Sequence, residues 1–167
     1  VENDAAPTIT LATSAASIAE NAAGTLTLTA TLSTATFENV TVALDPTGTA
    51  TEGTDYGTIS NITVSAGATT GTATFDPTDD SKYESATAET SIVAITSVSG
   101  GNATESGTQT ATISITENES APTVTLATSG STLDENSNST LTLTATLSGT
   151  TYENVTVALT PTGTATE

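Results

Sequence analysis

Residues Leu26–Glu52 read LTLTATLSTATFENVTVALDPTGTATE, and Leu141–Glu167 read LTLTATLSGTTYENVTVALTPTGTATE. The two copies differ only at Thr34/Gly149, Ala35/Thr150, Phe37/Tyr152 and Asp45/Thr160. Pro7 and Pro122 keep the same separation, 122 less 7 or 115 residues, so the period is constant. A long repeat made of strand-like segments implies an array of similar domains. VENDAA at Val1–Ala6 matches ITENESA at Ile115–Ala121, so residues 1–6 are expected to be the tail of a preceding repeat. Residues 7–118 are then expected to form one complete domain and residues 119–167 the N-terminal part of the next, a window on a longer tandem protein.

Working outward from Leu26, short alternating runs recur between turn residues. Leu26, Leu28, Ala30 and Leu32 fall on one face with threonines on the other. Ile9 and Leu11 do the same in TITL, which precedes a kink at Ala15–Ala16 and a short run Ser17–Glu20. Val40, Val42 and Leu44 lead to Asp45-Pro46-Thr47-Gly48, a strong turn signal. Further runs are Ile59–Val64, Thr70–Phe75 with Ala73 and Phe75 inward, Glu89–Val98 with Val93 and Ile95 inward, and Gln109–Thr116 with Ala111, Ile113 and Ile115 inward. Gly100-Gly101-Asn102 turns the chain between the last two. No helical window competes. The pattern predicts an all-β protein, an immunoglobulin-like antiparallel β-sandwich of about seven strands, repeated in tandem. Glu117 to Pro122 is a short connection ending in proline, so neighbouring domains are expected to be held close.

Composition narrows the function. The net charge is −18, with one basic residue, Lys82, and no His. Nucleic acid is excluded as a partner, because neutralising phosphates takes many cations. Docking on an anionic membrane is disfavoured for the same reason, and no apolar run is long enough to span a bilayer. There is no Cys, so neither disulfides nor thiol chemistry enter. Without His or Cys, and with a single amine side chain, acid–base and nucleophilic catalysis lack their usual groups, and the chain reads as a non-enzyme. Aromatics make up 3% of residues, so the core is expected to consist of Leu, Ile, Val and Ala, thin enough to gain from metal ions or neighbouring domains. Tyr56, Tyr83 and Tyr152 are isolated and read as rim residues.

One combination of motifs carries a family resemblance. It comprises APTITL at Ala6–Leu11, Ser17-Ile18-Ala19-Glu20-Asn21, GTATEGTDY ending at Tyr56, Thr78-Asp79-Asp80-Ser81-Lys82-Tyr83-Glu84, and ATISITENE at Ala111–Glu119. Together they resemble the Calx-beta domain family across the first repeat, and across the second as far as it goes. The resemblance implies a seven-stranded sandwich, either a calcium-sensing module or a unit of a long extracellular adhesion array. It also implies a calcium site at one end of the sandwich. Glu20 matches the acidic residue before the second strand, Asp55 the TDY-like motif, and Asp79, Asp80 and Glu84 the acidic loop. Glu117 and Glu119 fall where the family has a run of Asp. Two departures stand out: Glu-Asn-Glu replaces that run, and Ala88-Glu89-Thr90-Ser91 lacks the aromatic of the usual acidic-then-aromatic pattern.

The physical case agrees. Calcium takes about six to eight oxygen ligands, so it needs carboxylates and carbonyls from separate loops. Carboxylates gathered without a cation repel one another or titrate upward, and one Lys cannot neutralise them. Hard oxygen donors without His or Cys favour Ca2+ over zinc or copper. Against this stands a solvated acidic surface, since Asp and Glu are usually exposed. Asp45 and Asp76 read as turn residues, and Asp134 and Glu135 repeat the Glu20 position. Asn39, Asn61, Asn102, Asn118, Asn138 and Asn154 each open an N-x-S/T triplet, which a Thr-rich chain produces by chance.

The leading expectation is an extracellular, cell-surface structural or adhesive repeat, forming a rod stiffened by calcium at domain ends. Its partners would be neighbouring repeats of the same chain. An alternative is a protomer of a surface filament, with identical chains completing each other by strand addition. A regulatory calcium sensor is a third reading, disfavoured by the near-identity of the copies.

Overall fold

The computed structural model describes residues 5–84 and 86–164. Of the expected tail at residues 1–6, residues 1–4 lie outside the described residues, as do residues 165–167 of the second copy. No described residue is helical. Contacts divide the chain into two units, Val1–Asp80 with Ser85–Asn118, and Ser81–Glu84 with Glu119–Glu167.

The first unit is a sandwich of two sheets. Its strands are β1 (Thr8–Thr13), β2 (Ser17–Ala19), β3 (Leu26–Leu32), β4 (Val40–Gly48), β5 (Ile62–Val64), β6 (Thr70–Phe75), β8 (Glu89–Ser99), β9 (Thr104–Glu105) and β10 (Thr110–Thr116); β7 (Lys82–Tyr83) belongs to the second unit. One sheet has the order β6-β3-β1-β9, the other β2-β10-β8-β4-β5. Alternation in β3 has the expected result: Leu26, Leu28, Ala30 and Leu32 are buried, with threonines between them. β-Branched threonine suits the outer face of a pleated sheet.

The kink at Ala15–Ala16 is where the chain changes sheets. β1 pairs antiparallel with β3, whereas β2 crosses over and pairs parallel with β10. β9 also pairs parallel, with β1. The sandwich interior is antiparallel as expected, and these two edge pairings are the exceptions.

The turn expected at Asp45–Gly48 is instead strand. A bulge between Ala43 and Leu44 resets the register against β8, and β4 runs on to Gly48 opposite Ser91. Proline tolerates a strand only where its missing donor is not needed. Pro46 meets that condition because β5 pairs only with Val40–Val42 on that side. Gly48 ends the strand at φ 129°, with Thr90 O 2.1 Å from where a Cβ would stand. That approach admits glycine alone.

The core is aliphatic, as expected, except at its centre. Tyr56, read as a rim residue, is 1% exposed, and its ring stacks on Phe75 with centroids 4.7 Å apart. The two rings supply bulk that a Val/Leu/Ile core of this size otherwise lacks. Inward on β8, Ser91 is fully buried and its hydroxyl has no hydrogen-bond partner among the described residues.

The second unit contains β11 (Val124–Thr128), β12 (Leu143–Leu147) and β13 (Thr150–Thr151). β11 and β12 pair with Val124 opposite Leu147, the register of Ile9 and Leu32 shifted by one period. Val124, Leu126, Leu143 and Leu147 are exposed, whereas Ile9, Leu11, Leu28 and Leu32 are buried. β13 pairs parallel with β7, Thr150 opposite Lys82 and Thr151 opposite Tyr83.

Phe75→Ala is expected to cost about 3–5 kcal/mol by opening a cavity beneath Tyr56. Phe37→Ala, at a fully exposed site, is expected to stay within about 0.5 kcal/mol. Urea unfolding of both variants checks the contrast, and equal losses would contradict this core. Ser91→Ala removes an unsatisfied buried hydroxyl and is expected to raise the unfolding midpoint. A lower midpoint would mean that the hydroxyl has a partner in solution.

Candidate metal centre

The five-stranded sheet gathers carboxylates at one end by its strand order. β2 and β10 run parallel with Ala19 opposite Thr116, so the next residues, Glu20 and Glu117, leave the two strands side by side. Glu20 N–H donates to Thr116 O at 3.0 Å, continuing the ladder to that point. β8 enters the sheet at the same end, with Glu89 opposite Ile115. β4 leaves there beside it, and Ala50 N–H donates to Thr90 O at 3.0 Å. The loop after β4 carries Asp55. Glu20, Glu117, Glu89 and Asp55 therefore sit along neighbouring strands in the order β2-β10-β8-β4.

The buried members are fixed by backbone donors. Glu20 is 6% exposed, and its Oε1 accepts from Asp80 N–H at 3.2 Å. Asp55 is 8% exposed, and its Oδ2 accepts from Thr51 N–H at 2.5 Å. Asp55 N–H donates to Thr51 O, and Asp55 O accepts from Thr78 N–H, so this loop is clamped to the acidic one. Bonds of this kind aim a carboxylate and satisfy part of its acceptor capacity.

Among the described residues, two groups of three carboxylates result: Glu20, Glu84 and Glu117, and Asp55, Glu84 and Glu89. Within each, the candidate ligand oxygens lie within 4.8 Å of one another. Calcium–oxygen bonds of about 2.4 Å allow two oxygens on one ion to be at most about 4.8 Å apart, so each group passes that test. Glu84 is common to both groups. Asp79 and Asp80 are exposed and lie in neither; Asp80 takes part through its backbone donor to Glu20. Glu119 is half-buried and also lies in neither. Glu89 is the member that the sequence-based set lacks. Its signal was the acidic position of the Ala88–Ser91 segment, masked by the missing aromatic.

No family model matches the chain, and no curated protein sequence matches it. Solved structures do. The apo-form Calx CBD1 domain aligns with a TM-score of 0.56 at 18% identity, over 69% of this chain and 100% of that one. A structure described as the calcium-binding domain CBD12 of CALX1.1 aligns with a TM-score of 0.54 at 18% identity, over 71% of this chain and 49% of that one. A two-domain protein of unknown function from Bacteroides fragilis aligns with a TM-score of 0.50 at 8% identity, over 74% of this chain and 55% of that one. The chain thus spans all of the first of these neighbours and about half of the other two, and its all-β sandwich is Calx-beta-like.

Proposed function

We propose that the chain is a calcium-binding, non-catalytic repeat of an extracellular, cell-surface structural or adhesive protein. The observation that carries this reading is the pair of carboxylate groups sharing Glu84. Glu20, Glu84 and Glu117 would hold one ion, and Asp55, Glu84 and Glu89 a second, with backbone carbonyls and water completing each shell. The donor set is all oxygen, which suits Ca2+. The neighbour described as a calcium-binding domain supports the same reading. The near-identity of the two copies favours a repetitive array over a tuned sensor.

The cation would supply positive charge that the chain lacks. Glu20 and Glu117 follow adjacent strands, and Asp55 and Glu89 are fixed by the turn after β4 and the start of β8. An ion held by these groups ties loops that otherwise repel one another. In an array, the same ties at domain ends would stiffen a rod, with neighbouring repeats as the partners.

Thermal unfolding of the chain in calcium and in EDTA tests this. Binding to the native state alone adds about 4 kcal/mol at a thousandfold excess over Kd. For a domain of this size that corresponds to a midpoint rise on the order of ten degrees. Glu84→Gln, touching both groups, is expected to abolish most of the rise. Asp79→Asn, outside both, is expected to leave it intact. Equal midpoints in calcium and EDTA would reduce the carboxylates to a solvated acidic surface and end the proposal.

A further inference from the structure

The segment Ala35–Phe37 differs between the two copies only in side chains, yet its two versions are in different states. In the second copy, Thr150–Thr151 forms β13 against Lys82–Tyr83. Tyr152 N–H donates to Tyr83 O at 3.0 Å, Thr150 Oγ1 donates to Ser81 O at 2.7 Å, and Lys82 Nζ lies 5.9 Å from the Tyr152 ring centroid. In the first copy, Ala35 and Thr36 lie in no strand and pair with none among the described residues, and Phe37 is 105% exposed.

The loop itself is the same. Thr36 Oγ1 donates to Glu38 O at 2.6 Å, and Thr151 Oγ1 donates to Glu153 O at 2.7 Å. In the first unit it is braced from behind. Thr36 is buried, its carbonyl accepts from Gly67 N–H at 2.8 Å, and Glu38 Oε2 accepts from Gly101 N–H at 3.2 Å. Gly101, at φ 55°, has Thr36 Cγ2 2.7 Å from its would-be Cβ, so the loop packs on bare backbone. Beside it is an open cleft of about 770 Å³ lined by Ala5, Ala6, Pro7, Phe37, Glu38 and Asn102, among others. A preformed loop therefore presents an aromatic ring that no described residue of its own unit covers.

We propose that Ala35–Phe37 is a docking edge for the Lys82–Tyr83 strand of another copy of this repeat. The charge pattern fits that occupant. Lys82 is the single basic residue of a chain of net charge −18. At the second copy's loop it faces the Tyr152 ring; at Phe37 it would face a ring with the Glu38 carboxylate next in sequence. A cation over an aromatic face gains energy from the ring quadrupole, more so as water is excluded. The rungs of the edge are backbone, so a Phe37 loop can accept the same strand, without the Thr150 Oγ1–Ser81 bond that Ala35 cannot make. The docking rests on this loop geometry and does not depend on the cation reading.

The chain contains no Trp, so a single introduced one is a clean reporter. Phe37→Trp would be measured in the 167-residue chain and again with a further copy of residues 1–115 joined ahead of it, which keeps the repeat period. Joining the copies makes docking intramolecular, at an effective concentration in roughly the millimolar range. The leading copy is expected to shift the Trp emission to the blue and to cut acrylamide quenching several-fold. Lys82→Glu in the leading copy is expected to reverse both. Tyr152→Trp in the 167-residue chain is expected to show the docked spectrum from the start. Each measurement would be made in calcium and in EDTA, and docking in either supports the proposal. Emission from Phe37→Trp that ignores the leading copy in both conditions overturns it. So does a Tyr152→Trp spectrum as red as that of Phe37→Trp in the 167-residue chain.

Discussion

The stack of Tyr56 on Phe75 is the contact through which the core reaches the acidic loops. Its centroids are 4.7 Å apart, and both residues are almost fully buried. Tyr56 forms backbone bridges to Glu52 on one side and Pro77 on the other. Gly57 N–H donates to Asp76 O, just past the end of β6. The ring thus anchors two loops at once, the one bearing Asp55 and the one leading to Asp79, Asp80 and Glu84. An aliphatic residue at Tyr56 would fill part of the volume but would leave those loops without a common fixed point. Carboxylates that repel one another stay in register only if the backbone beneath them is held by something stronger.

Charge sets the second constraint. A chain at −18 with one Lys has almost no internal means of neutralisation. Most acids solve the problem by staying in water, where screening acts within about 10 Å at ordinary salt. Glu20 and Asp55 do not have that option, since both are buried. Backbone N–H groups offset part of the burial cost at each. A carboxylate oxygen of Glu20 lies within 4.8 Å of oxygens of Glu84 and Glu117, and one of Asp55 within 4.8 Å of oxygens of Glu84 and Glu89.

Much of the fold was legible because alternation is local. β3, β6 and β10 follow the period-2 pattern of their side chains nearly residue for residue. What escaped was non-local. Asp45-Pro46-Thr47-Gly48 has every mark of a turn, and only the bulge opposite β8 makes it strand. Tyr56 looks like a surface tyrosine until Phe75 is placed beneath it. The site shows the same division. Motif matching named Glu20, Asp55, Glu84 and Glu117, which the structure brings into groups, together with Asp79 and Asp80, which are exposed and lie in neither group. Glu89 joins the group because of strand order, which no window of sequence contains.

The parallel pairing of β2 with β10 has a mechanical consequence. β2 lies near the start of the first unit and β10 is its last strand, and they share hydrogen bonds across Ser17–Ala19 and Ser114–Thr116. In a parallel pair, tension on the beginning of one strand and the end of the other acts along the strands. The hydrogen bonds are then sheared together, whereas a hairpin pulled from its open end parts one rung at a time. The crossover at Ala15–Ala16 thereby turns a short edge strand into a clasp between the two ends of the unit, aligned to resist stretching.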